Sequence, residues 1–175
     1  RYAQLLTSSF FGSVPQSYLR SDGVFPNEEN GYRKRLFELL GVKYLLDKED
    51  NPATGDDWHY ERFQGDTVRG IWQDGKFQVY EREPVLPRTF LTTKYIVAAN
   101  DAEIIEKIYD QNFDLETLIL EKEPSLKIEN LKEQINIPQK VLYEPNQIVI
   151  STNVSDNSLL YLSDAYDKSW KVYID

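Results

Sequence analysis

The stretch "DDWHYER" holds the single histidine of the chain, His59, with Asp56, Asp57 and Glu61 around it. Oxygen and nitrogen ligands this close could begin a zinc or calcium site. Zinc sites draw on patterns such as His-x-x-x-His, and calcium loops on alternating oxygens closed by a glutamate; neither spacing occurs. A solvated loop without metal is the expectation. Two carboxylate pairs, Glu81 with Glu83 and Asp164 with Asp167, have the residue types of a glycosidase acid and nucleophile. That chemistry needs two carboxyls facing across a cleft, about 5 Å apart for retention and further for inversion. With 29 acidic residues in 175, neighbouring pairs arise by chance, and solvated charged faces are expected. No Gly-x-Ser-x-Gly elbow accompanies His59, so a serine hydrolase lacks its motif. Cysteine is absent, which excludes thiol nucleophiles, cysteine-based zinc sites and iron–sulfur ligation.

Aromatic residues carry the stronger signal. Trp58, Trp72 and Trp170, with Tyr60 and Tyr166 nearby in sequence, are flat rings with polar neighbours, the composition that stacks on a pyranose face. Trp58 lies in a polar run, where sugar contact and packing of the loop onto the body are both open. Trp170 alternates with Val172 and Ile174 in the closing "WKVYID", a pattern that reads as a core position in a strand rather than a platform. Arg88, after Leu86-Pro87, could anchor a carboxylate or phosphate; the blander reading is a buried structural pair with one of the many acids. Together Trp58, Tyr60, Arg88, Asp164, Tyr166 and Trp170 form the candidate carbohydrate-binding set, with no catalytic residue, metal or cofactor assigned.

Net charge is −9, from 29 acidic against 20 basic residues. Such a field repels phosphate backbones and anionic headgroups and argues against a nucleic-acid partner. The longest apolar runs, "TLIL" and "LLYL", are far shorter than the roughly 20 residues of a membrane-spanning helix, and the start has no signal-peptide pattern. With 12 Tyr, 8 Phe and 3 Trp, the chain reads as a packed, β-rich body. Its opening without methionine and its close inside an apparent strand read as a piece cut from a longer protein.

These residues need elements to position them. Residues 1–30 never hold a period and read as irregular, with room for one short helix. "NGYRKRLFELLG" places Tyr32, Leu36, Leu39 and Leu40 on one helical face and stops at Gly41. A strand from Val42 to Leu46 follows, then a long polar loop from Asp47 to Asp66. Asp74-Gly75 sits between two β-prone runs as a hairpin signal. "TFLTTKYIVA" reads as one strand. "NDAEIIEKIYDQ" reads as a helix with an Asn100/Glu103 capping box above Ile104, Ile105 and Ile108, and "ETLILE" as a strand that completes a β-α-β unit. From Lys122 to Gln139 the chain is a charged connection. Beyond it, two strands flank Pro145-Asn146, with Val141 and Tyr143 facing Ile148, Ile150 and Thr152, and "SLLYLSDAY" and "WKVYID" supply two more.

Taken in order, "LFELLGVKYLL", "FQVYERE", "LPRTFL", "FDLETLILE" and "LLYLSDAYDKSWKVYID" resemble the C-terminal extracytoplasmic region of the YfhO-like family of bacterial multi-pass membrane proteins. Leu40, Gly41, Val42, Lys43 and Tyr44 match its helix-to-strand motif. Leu86, Pro87 and Arg88 match its Leu-Pro-Arg, and Ser163, Asp164, Tyr166, Trp170, Lys171 and Asp175 its closing pattern. The chain departs from the family at Lys168-Ser169, where Pro-Gly is usual. The resemblance spans roughly residues 30–175. It implies a cell-membrane protein of the glycosyltransferase type, acting from lipid-linked sugars on envelope polymers, with its chemistry in a membrane-proximal part outside this chain.

The expected fold class is α+β: a mixed, β-rich domain with a β-α-β segment and a β-sandwich-like C-terminal half. Its portions would be an irregular 1–30, an α/β portion 31–121 with the hairpin, and a β-sandwich-like portion 122–175, in one extracytoplasmic unit. The implied partners are the membrane-embedded remainder of the same polypeptide and a glycan or envelope polymer. A structural or interaction domain without ligand is the alternative, and an independent hydrolase a third.

Overall fold

Helices form where the apolar spacing is helical, and the second of them stops where a glycine allows it. The computed structural model describes residues 2–17, 31–48, 68–83, 85–129 and 135–174. In it α1 (Tyr2–Ser8) and α2 (Gly31–Leu39) are followed, after the five strands described below, by α3 (Asp101–Tyr109). Gly41 ends α2 with φ +61°. Its amide donates to the Glu38 carbonyl at 3.1 Å, and the Val42 amide to that of Phe37 at 2.9 Å. These two bonds are the Schellman pattern, which satisfies carbonyls the helix end would leave bare. At the start of α3, Asn100 accepts from the Glu103 amide at 3.0 Å, and the Glu103 carboxylate accepts from the Ala99 amide at 2.7 Å. The capping box therefore forms, with its return bond one residue earlier than the usual N-cap amide.

The three helices close over Leu6, Leu36, Ile105 and Tyr109, with Leu5, Leu40 and Ile108 packed against them. The Tyr109 hydroxyl donates to the Leu5 carbonyl at 2.5 Å, and burial pushes its titration up. Arg35, buried in α2, donates through Nε to the Ile108 carbonyl at 3.0 Å and through Nη2 to that of Phe113. It thereby caps the C-terminal end of α3 with positive charge.

Between α2 and α3 lie β1 (Tyr44–Lys48), β2 (Val68–Asp74), β3 (Phe77–Arg82), β4 (Thr89–Thr92) and β5 (Tyr95–Val97). After α3 come β6 (Leu118–Leu120), β7 (Lys140–Glu144), β8 (Gln147–Ser151) and β9 (Leu159–Leu162). The first sheet is antiparallel in the order β1-β3-β2. Its hairpin pairs Asp74 with Phe77, so the two-residue turn is Gly75-Lys76, with Gly75 at φ +55° in the first central position. The β-α-β unit is present: β5 and β6 pair in parallel on either side of α3. The hairpin around Pro145-Asn146 also forms, with Val141 opposite Ile150 and Tyr143 opposite Ile148. The chain is a mixed α+β fold.

Three expectations change. The strand expected at Val42 to Leu46 begins two residues later, because Val42 is used in the helix stop. "TFLTTKYIVA" is two strands: the Thr92 hydroxyl accepts from the Lys94 amide at 3.1 Å and turns the chain, sending β4 to β9 and β5 to β6. "WKVYID" forms no strand over residues 170–174, since no backbone ladder pairs it among the described residues. Alternation marks a segment as able to pair, and pairing still needs a partner edge.

β4 is buried at all four positions. β9 pairs along one side, and a bridge from Leu91 to Asn136 covers the other, with reciprocal bonds of 2.8 Å. Phe90 faces Tyr161 across this ladder with ring centroids 4.8 Å apart. The β4–β9 pair also ties residues before position 122 to residues after it.

Candidate functional site

Thr89 pairs with Leu162 at the end of the β4–β9 ladder, and the pairing runs one step further, the Ser163 amide donating to the Arg88 carbonyl at 2.8 Å. The backbone thus brings Arg88 and Asp164 to the same strand ends. Arg88 Nε and Nη2 both donate to Asp164 Oδ1, at 3.2 and 2.5 Å. Asp164 is the more sheltered partner, with its side chain 21% exposed against 60% for Arg88. The guanidinium also lies 4.5 Å from the ring centroid of Tyr143 on β7, within cation–π range. The hydrogen bond to Asp164 holds the Arg88 titration above its ordinary value.

Two of the six candidate residues, Arg88 and Asp164, therefore meet directly. The bland expectation for Arg88, a buried pair with an acid, holds only in part: the acid partner is there, but the guanidinium stays largely open to solvent. Tyr166 and Trp170 lie just downstream and are 86% and 45% exposed. This corrects the core reading of Trp170: without a strand over residues 170–174, alternation with Val172 and Ile174 does not turn its ring inward. The turn before it is closed locally. Asp167 Oδ1 accepts from the Ser169 amide at 2.8 Å and the Asp167 carbonyl from the Trp170 amide at 3.0 Å. A defined turn thus exists at Lys168-Ser169 without Pro-Gly. Trp58 and Tyr60, with His59, Asp56, Asp57 and Glu61, lie outside the described residues.

Tyr143 is the member that sequence reasoning did not select. Periodicity placed it on a strand facing Ile148, and that holds. Its approach to Arg88, 55 positions away in the sequence, depends on how β7 packs beside the β4–β9 ends, for which no local signal exists.

Members of both carboxylate pairs are engaged by other groups. Glu81 sits between Arg69 Nη2 at 2.5 Å and Lys43 Nζ at 3.3 Å, and these bonds hold its carboxyl below the ordinary range. Asp167 is likewise held low, by Ser169. A general acid needs the opposite shift, so neither residue is tuned as a proton donor. Among the described residues, no group of three or more His, Cys, Asp or Glu is arranged to hold a metal ion. Among them too, no helix is long and apolar enough to cross a membrane.

One other surface stands out. On the β1-β3-β2 sheet, Leu46, Val79 and Trp72 form one cross-strand row, with Leu46 72% and Trp72 51% exposed. Tyr44 and Phe77 on the same face are also exposed.

Set against known protein families, curated proteins and solved structures, the chain matches none.

Proposed function

We propose that this chain is an extracytoplasmic accessory domain of a bacterial multi-pass membrane protein related to glycosyltransferases, and that it contacts a glycan acceptor or envelope polymer. The domain itself supplies binding, and the chemistry belongs to the membrane-embedded remainder of the same polypeptide. Motif order along residues 30–175 supports the family context. The observation that carries the binding role is the Arg88–Asp164 pair standing beside the half-exposed Tyr143 ring. A planar donor set, a carboxylate and an aromatic ring are the groups that orient hydroxyls and cover a sugar face. Exposed Tyr166 and Trp170, a few residues beyond Asp164, extend the same aromatic character. Tryptophan fluorescence titrated with a panel of envelope saccharides tests the reading. A saturable change that disappears in Trp170→Ala is expected, and a flat response across the panel at millimolar saccharide contradicts it.

The apolar row of Leu46, Val79 and Trp72 favours a second reading, a structural or protein-interaction domain with no ligand. Under it, saccharides leave the fluorescence unchanged while Leu46→Lys alters the mass seen by sedimentation.

A further inference from the structure

Resting on the glycan reading above, we infer that the Arg88–Asp164–Tyr143 site selects neutral, hydroxyl-rich sugar rings over saccharides that carry a carboxylate or phosphate. Both Arg88 donors that reach Asp164 converge on Oδ1. The cation and the anion therefore form one pair with little net charge. Arg88 Nη1 and Asp164 Oδ2 take no part in these two bonds, which leaves both a donor and an acceptor on the pair for a ligand. Two adjacent hydroxyls, each able to donate and to accept, complement that arrangement. An anionic ligand meets three obstacles. It must compete with Asp164 for Arg88, it is repelled by the second Asp164 oxygen, and it approaches a chain of net charge −9. The Tyr143 ring, whose cation–π contact already engages Arg88, presents its remaining area as apolar surface, which suits an uncharged ring face.

The test is a matched comparison on the whole chain: methyl glycosides of neutral hexoses against the uronates that differ only by a carboxylate at C6. Affinity is read by calorimetry, and the site is located by the NMR signals of Arg88 and Asp164. In the wild type the neutral member of each pair binds roughly 5- to 10-fold tighter. Its affinity is unchanged between about 20 and about 300 mM salt. Asp164→Asn removes the competing charge and is expected to reverse the order, the uronate gaining about tenfold over its wild-type affinity. Far-UV circular dichroism establishes that the variant is folded, and the wild-type comparison stands without it. Uronates binding the wild-type site as tightly as neutral glycosides overturn the charge selection and leave the glycan reading intact. Failure of both members to move the Arg88 and Asp164 signals overturns the two together.

Discussion

Arg88 and Asp164 are 76 positions apart, yet Arg88 donates twice to a single oxygen of Asp164 because β4 and β9 run antiparallel and end together. The pair stands at a strand end with Arg88 largely in solvent. Exposed ion pairs contribute little to stability, since water screens the attraction and ordering two side chains opposes it. Arg88→Ala is therefore expected to lower unfolding stability by less than about 1 kcal/mol in urea titration. Saccharide binding lost in that variant then reports on the site and not on the fold.

Gly41 is a sharper structural requirement. Its φ of +61° is left-handed, and a Cβ added there would lie 3.2 Å from the Leu86 carbonyl oxygen. Gly41→Ala is expected to cost roughly 1–2 kcal/mol, from backbone strain alone. The urea midpoint measures it, with an unchanged slope as the sign that the unfolded state is not altered.

Leu36 is fully buried where the three helices meet. Leu36→Ala removes buried methyl groups and leaves a cavity, so a loss of about 2–5 kcal/mol is expected by the same titration. A loss below about 1 kcal/mol would mean that the helices are not packed around this position.

Glu81 gives the first sheet a pH dependence. Arg69 and then Lys43 hold its folded-state titration below the ordinary glutamate value of 4.5. A carboxyl whose value is lowered on folding binds more protons when unfolded. Its contribution is present above the ordinary value and is lost as pH falls through the lowered one. Thermal midpoints taken between neutral pH and pH of about 3 are expected to fall more steeply in the wild type than in Glu81→Gln. Added salt narrows the gap, because the two cations, Lys43 and Arg69, are exposed.

What the sequence disclosed follows the range of the interaction. The Gly41 stop, the Asn100/Glu103 cap, the glycine turn near Asp74 and the Pro145-Asn146 hairpin each depend on neighbouring residues, and each was legible. The hairpin loop still proved to be Gly75-Lys76, because pairing of Asp74 with Phe77 fixes the turn and composition alone does not. Residues 89–98 hid a change of sheet, since a Thr92 hydroxyl turn leaves the apolar pattern almost uninterrupted. Asp164 and Arg88 could be chosen singly as candidates, but their meeting is a consequence of strand pairing, and strand patterns do not name their partners. Trp170 shows the converse: alternation without a paired edge misread an exposed ring as core.

Whether the Arg88, Tyr143 and Asp164 surface holds a sugar is decided by a ¹⁵N amide NMR titration of the chain with neutral envelope saccharides. Saturable shifts confined to Arg88, Tyr143 and residues 163–170, with the Trp170 indole among them, are the expected result. Spectra unchanged at millimolar saccharide, or shifts gathered instead on the Leu46 and Trp72 face, would contradict it.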